Sequence, residues 1–244
     1  MKKKVLSLLA FLPAFTTVMA QQTAEVPDVC AFVNPIIGTN GMGHTFPGAC
    51  APFGLVQLSP DTDTIPHNID GTYQKNAYEY CAGYQYHDPT IVGFSHTHLS
   101  GTGAGDLYDI SFMPVTLPYK EAEVPLGIHS RFSHDDESAT AGYYQVLLKD
   151  YNINVELTAT ERCGIQRYTF PEAQAAIFLN LKKAMNWDFT NDSRIEIVDS
   201  VTIQGYRFSD GWARDQHIYF RTRFSKPFTS VQIDTTAIIK DGKH

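Results

Sequence analysis

From residue 140 onward the chain is written as short runs that alternate apolar and polar residues with a period of two, broken by turn formers. The runs are Tyr143–Leu148, Ile153–Thr160, Gly164–Phe170, Ala175–Leu181, Ile195–Val198, Ser200–Arg207, His217–Phe224 and Ser230–Asp234. A period of two sends alternate side chains to opposite faces of a strand, so each run offers one face to a core and one to water. Short strands recurring at roughly 8–12 residues, with turns between them, predict an all-β chain built as an antiparallel β-sandwich. Outside the first 20 residues no stretch of a dozen carries a helical stripe. The composition agrees: 15 Phe and 13 Tyr, with only 18% charged residues, suit strands better than a helix bundle.

Residues 34–114 read differently. They are rich in Gly, Pro and His, with strand-like islands at Leu55–Leu58, Ile91–Phe94 and Ile110–Met113 separated by long loops. Loops of that length inside a compact domain are usually functional. The segment Gly38–Thr45 lacks the Gly-Lys-Ser/Thr ending of a phosphate loop. Gly101-Thr102-Gly103-Ala104-Gly105-Asp106 has the wrong third spacing for a dinucleotide fingerprint and no helix after it. Both fit loops whose backbone turns sharply or approaches a ligand closely.

These loops also hold the candidate chemistry. His96 and His98 follow a strand and suit either metal ligation or hydrogen bonding to a substrate, with bonding to loop backbone as the simpler reading. His44, beside Phe46-Pro47-Gly48, is equally open. Asp61, Asp63, Asp106, Asp109, Asp135, Asp136 and Glu137 are loop carboxylates, and their spacing singles out no acid–base pair for glycoside hydrolysis. Asp135-Asp136-Glu137 reads as a solvated turn. Tyr73, Tyr78, Tyr80, Tyr84 and Tyr86 with His87 suit stacking on sugar rings or packing on a sheet face.

The first residues, Lys2-Lys3-Lys4 followed by an apolar run to Phe15 and small residues to Ala20, form a secretory leader of residues 1–20, too short and too interrupted (Pro13) to be a membrane span. Its removal takes three lysines and no acid, moving the formal net charge from −7 to −10. An acidic exported protein without clustered Lys and Arg is excluded as a nucleic-acid binder. It also needs no membrane once the leader is cut. Cys30, Cys50, Cys81 and Cys163 could form disulfides after export, in three alternative pairings. A chain this long can build a core without them, so most are expected to be buried free thiols.

The motifs, taken in order, resemble glycoside hydrolase family 92, exported bacterial exo-α-mannosidases. They are Val33-Asn34-Pro35-Ile36-Ile37-Gly38-Thr39, Gly43-His44-Thr45-Phe46-Pro47-Gly48-Ala49, Pro52–Thr62, Gly83-Tyr84-Gln85-Tyr86, Gly93–Gly103, Glu156–Arg162, Arg167–Pro171 and Gly211-Trp212-Ala213. The resemblance implies a β-sandwich over 21–244, followed in the family by a larger (α/α)-barrel domain, with the active site between them. It implies Ca²⁺-dependent, inverting release of terminal α-1,2-mannose from glycans. The acid, the base and the calcium ligands are expected mainly from the barrel, so no catalytic or metal role falls on this chain. The sandwich is expected to supply the substrate-facing residues His44, Thr45, Phe46, Asp61, Tyr78, Tyr84, His96, His98 and Gly101. Tyr78 stands where the family commonly carries a Trp that stacks on the leaving-group sugar. Asp241-Gly242 signals a hairpin with no partner strand after it, so the chain is expected to be the first part of a longer enzyme, inactive alone. A stand-alone lectin-like module and a purely structural docking sandwich are the alternatives.

Overall fold

The computed structural model describes residues 28–62, 67–118, 127–172, 174–184 and 188–233. The leader, Asp63 and the expected strand and turn at 235–242 lie outside them. Among the described residues every strand pairing is antiparallel, and the helical segments are short 3-10 turns. A five-stranded sheet runs in the order Ala49–Cys50, Gln57–Asp61, Gly93–Ser95, Ser111–Thr116, Ala175–Asn180. A four-stranded sheet orders Gly164–Thr169, Ile153–Ala159, Tyr143–Leu148, Glu137–Thr140. A three-stranded sheet is formed by Phe189–Asp199, Thr202–Asp210 and Gln216–Arg223.

The four-stranded sheet is the part that the period-two pattern describes best. In Tyr143–Leu148, Tyr144, Val146 and Leu148 are fully buried while their neighbours are half-exposed, and Ile153, Val155 and Leu157 do the same on the next strand. These six side chains join Leu58, Ile91, Phe94, Met113 and Val115 in the main core, which closes the sandwich between the four- and five-stranded sheets.

The strand Ser111–Thr116 is buried on both faces over most of its length. Met113 and Val115 point into that main core, whereas Phe112 joins Ile110 and Leu181 in a second one. Ile177 and Leu179 of the neighbouring strand, and Ile195, Ile218 and Phe220 of the three-stranded sheet, pack against this second cluster. The five-stranded sheet therefore has a β layer on either side of it.

Three sequence expectations are corrected. The run at 195–198 belongs to an eleven-residue strand, Phe189–Asp199. Its pairing shifts register between Thr190 and Asp192 and again between Ile197 and Asp199, and an extra residue in a strand hides the alternation there. The described part of the expected strand 230–234 is irregular. Of the four cysteines only Cys81 is buried; Cys30, Cys50 and Cys163 are exposed, and all four are free thiols.

Candidate functional site

Loops 38–46, 75–86 and 96–109 converge beside the five-stranded sheet. Their shape is set by residues in the left-handed region, among them Gly38, His44, Gly83 and Gly101. At Gly83 (φ 89°) a Cβ would stand 2.7 Å from the Tyr108 ring and 2.9 Å from that of His98, so the backbone comes close only because no side chain is there.

One cluster gathers around Asp61, at the end of strand Gln57–Asp61 and fully buried. His98 Nε2 lies 2.8 Å from Asp61 Oδ1, Ser95 Oγ donates to the same oxygen at 3.0 Å, and Lys183 Nζ donates to Oδ2 at 3.2 Å. Burial alone would raise the carboxyl's pKa, but the charge of Lys183 and the bonds from His98 and Ser95 outweigh it and hold the pKa below its ordinary value. His98 Nδ1 faces the Gln57 carbonyl at 2.6 Å. His98 Nε2 also lies 3.1 Å from Ser95 Oγ, so both ring nitrogens are held by polar partners. Phe46 packs at 5.3 Å from the His98 ring and Tyr108 at 5.6 Å.

His96 goes elsewhere. Its Nδ1 donates to the Ile110 carbonyl at 2.7 Å, and its ring meets Phe112 edge-on. Burial pushes its pKa down, leaving a neutral ring whose Nε2 accepts from Gln166 Nε2 at 3.4 Å. The two histidines of one short motif thus have different partners.

A second cluster contains His44, Tyr78 and Gly101. His44 is a buried left-handed residue whose carbonyl accepts from Gly101 N at 2.6 Å and whose ring stands edge-on to Tyr78 at 5.2 Å. Its Nε2 is buried without a hydrogen-bond partner, as is Gln85 Oε1. Tyr78 lies against Gly103, where any side chain would collide with its hydroxyl. Thr45 is used locally: its Oγ1 donates to the Ile37 carbonyl at 2.9 Å. Tyr84 is only 1% exposed and belongs to the main core, its hydroxyl donating to both oxygens of Glu137 at 2.9 and 3.0 Å. Stacking on a ligand is closed to Tyr84 in this arrangement.

Sequence reasoning passed over several groups. Glu137, read as part of a solvated turn, is a buried carboxylate held by Tyr84, by Tyr144 at 2.6 Å and by His134 at 2.6 Å. Arg207, fully buried on the three-stranded sheet, reaches Asp109 at 2.6 Å and Asp188 at 3.0 Å. Asp109 is also the acceptor for Thr97 Oγ1 at 2.6 Å, and Asp106 accepts from Ala213 N at 2.8 Å. These bonds tie the loop 96–109 to the third sheet. Only Glu137's neighbouring His134 and tyrosines hint at the first of these groupings; nothing near Lys183 or Arg207 in the sequence points to theirs.

The chain matches the Glycosyl hydrolase family 92 N-terminal domain over residues 32–244. It belongs to that family. Among solved structures it is 39% identical, with a TM-score of 0.73, to the family GH92 alpha-mannosidase BT3965 from Bacteroides thetaiotaomicron in complex with mannoimidazole, covering 82% of this chain and 26% of that one. The GH92 inverting mannosidase BT2199 from the same organism shares the fold, with a TM-score of 0.58 at 24% identity over 80% of this chain and 25% of that one. An uncharacterized secreted glycosidase of Arthroderma benhamiae is 28% identical over 155 residues, 61% of this chain and 18% of the relative. This family 92 chain thus spans about a quarter or less of these relatives' lengths. No helix among its described residues is long and apolar enough to cross a membrane.

Proposed function

We propose that this family 92 domain forms one wall of the sugar pocket of an exported exo-α-mannosidase that removes terminal α-1,2-mannose with inversion. The opposite wall, with the acid and base, comes from an (α/α)-barrel domain. The observation that carries the reading is the 39% identity, over 82% of the chain, to an α-mannosidase solved with mannoimidazole. The leader at 1–20 and the secreted relative support export to the periplasm or beyond.

The geometry supports a positioning role. An inverting enzyme needs one carboxylic acid to protonate the leaving oxygen and a carboxylate ~6.5–9.5 Å away to activate water. The buried carboxylates of the site are already committed, Asp61 to His98 and Lys183, Asp109 to Arg207. His44, Tyr78 and Gly101 are better placed to meet a substrate: Nε2 of His44 lacks a partner that a sugar hydroxyl could supply, and Tyr78 offers a ring face in place of the family's Trp. Among the described residues no three His, Cys, Asp or Glu side chains come together to hold a metal. The calcium that the family implies is expected to take its ligands mainly from the barrel domain. Exposed apolar side chains at Phe32, Ile37, Met42 and Phe53 support a further domain packing on the N-terminal segment.

The test is turnover of α-1,2-mannobiose in the presence of calcium. Residues 21–244 alone release no mannose, while the same residues fused to the remaining part of the BT3965 relative release it first as the β-anomer. Release by residues 21–244 alone, or their micromolar binding of mannosides without turnover by the fusion, overturns the reading; the second result identifies a lectin-like module.

A further inference from the structure

The three-stranded sheet has a face that neither core uses. Its inward residues Ile195, Ile218 and Phe220 pack on the second core, and the alternate residues point outward. In the register of the strands, Arg194, Tyr206 and Tyr219 lie side by side, as do Glu196, Gln204 and Arg221 in the adjoining row. Tyr206 stacks on Phe208 at 4.3 Å, and Phe208 on His217 at 3.9 Å. Tyr219 stands across both, its ring centre 6.1 Å from that of Tyr206 and 5.6 Å from that of Phe208. Cross-strand contacts of this kind stabilise a sheet, but Tyr219 remains 69% exposed, so most of its ring faces water.

Polar groups beside this ring are held in place. Gln204 Nε2 donates to Glu196 Oε2 at 3.2 Å, Arg221 Nη1 donates to Gln204 Oε1 at 3.4 Å, and Tyr206 donates to Asp192 at 3.0 Å. Arg194, Glu196, Gln204, Tyr206 and Tyr219 border a shallow depression of about 370 Å³, within the ~300–1,000 Å³ range of ligand pockets. A pyranose presents two surfaces: a C–H face that stacks on an aromatic ring, and a rim of hydroxyls that both donate and accept. A fixed ring beside a fixed carboxylate, carboxamide and guanidinium matches both. Positive and negative side chains alternate over the face, which favours an uncharged ligand over a phosphate backbone.

We propose that the outer face of this sheet is a carbohydrate-binding surface separate from the loop site. Tyr219 stacks on one pyranose unit of a neutral polysaccharide, and Glu196 and Gln204 hydrogen-bond its adjacent hydroxyls. Taking that polysaccharide to be an α-mannan rests on the mannosidase reading above; the surface itself does not.

The experiment is affinity electrophoresis of the mature chain in gels containing yeast α-mannan, laminarin or xylan. The parent is retarded by α-mannan. Tyr219→Ala weakens retardation at least ~fivefold and Glu196→Ala does so in part, whereas Tyr219→Phe keeps it, with all melting temperatures close to the parent's. Retardation by laminarin or xylan alone, lost in Tyr219→Ala, upholds the surface and counts against the mannoside reading. No retardation in any gel, or equal retardation of Tyr219→Ala and parent, overturns the surface, and leaves the turnover test of the mannosidase reading untouched.

Discussion

The four-stranded sheet and the loops beside the five-stranded sheet bury their side chains by opposite means. In the sheet, Tyr144, Val146, Leu148, Ile153, Val155 and Leu157 are removed from water with few polar atoms attached, and Tyr144's hydroxyl is answered by Glu137. In the loops and where they meet the third sheet, Asp61, His98, Asp109 and Arg207 go equally deep as polar side chains paired with one another. An apolar strand face loses packing when a side chain is cut back, whereas a buried ionic group that loses its partner keeps its full desolvation cost. Both sides resist substitution, the sheet through the cavity left behind and the loop side through uncompensated charge.

Arg207→Met is expected to destabilise most, by about 3–5 kcal/mol of unfolding free energy in denaturant titration, because Asp109 and Asp188 stay buried without their cation. A cost no greater than that of an exposed ion pair would erase the contrast. Leu157→Ala on the sheet side costs about 3 kcal/mol by cavity formation, measured in the same way.

Asp188 extends the contrast to pH. Burial raises its carboxyl to about 6 against the opposing pull of Arg207, from an ordinary 3.8. Between those two values the folded protein holds a proton that the unfolded chain has released, so stability falls as pH rises through the window. Asp188→Asn removes that fall, on the order of 1–2 kcal/mol between about pH 4 and 6, seen as a flatter profile of melting temperature. Asp61 has the opposite sign, its lowered pKa contributing stability that is lost as pH drops below about 4. The least change comes at the exposed pair Arg131–Asp150, where thermal melting of Arg131→Ala stays close to the parent's at low and high salt.

Legibility follows the same division. The runs at 143–148, 153–160 and 164–170 come within one residue of the observed strands because a single buried face imposes a period of two. Ser111–Thr116 is legible only in part, since a strand covered on both faces has no alternation to read. Of the site, the motif order places His44, Asp61 and His98 together in one family pattern, but it does not show the split of His96 from His98 or the burial of Tyr84.

An all-β chain, the position of its regular strands and its family are written in the residues themselves, because short-range periodicity and ordered motifs are properties of neighbours along the chain. Which polar residues are buried together is settled by the packing of the sheets. Lys183 meets Asp61, and Arg207 meets Asp109, across 122 and 98 positions of sequence. Charges so far apart are joined by the way three sheets stack, and no local pattern records that stacking.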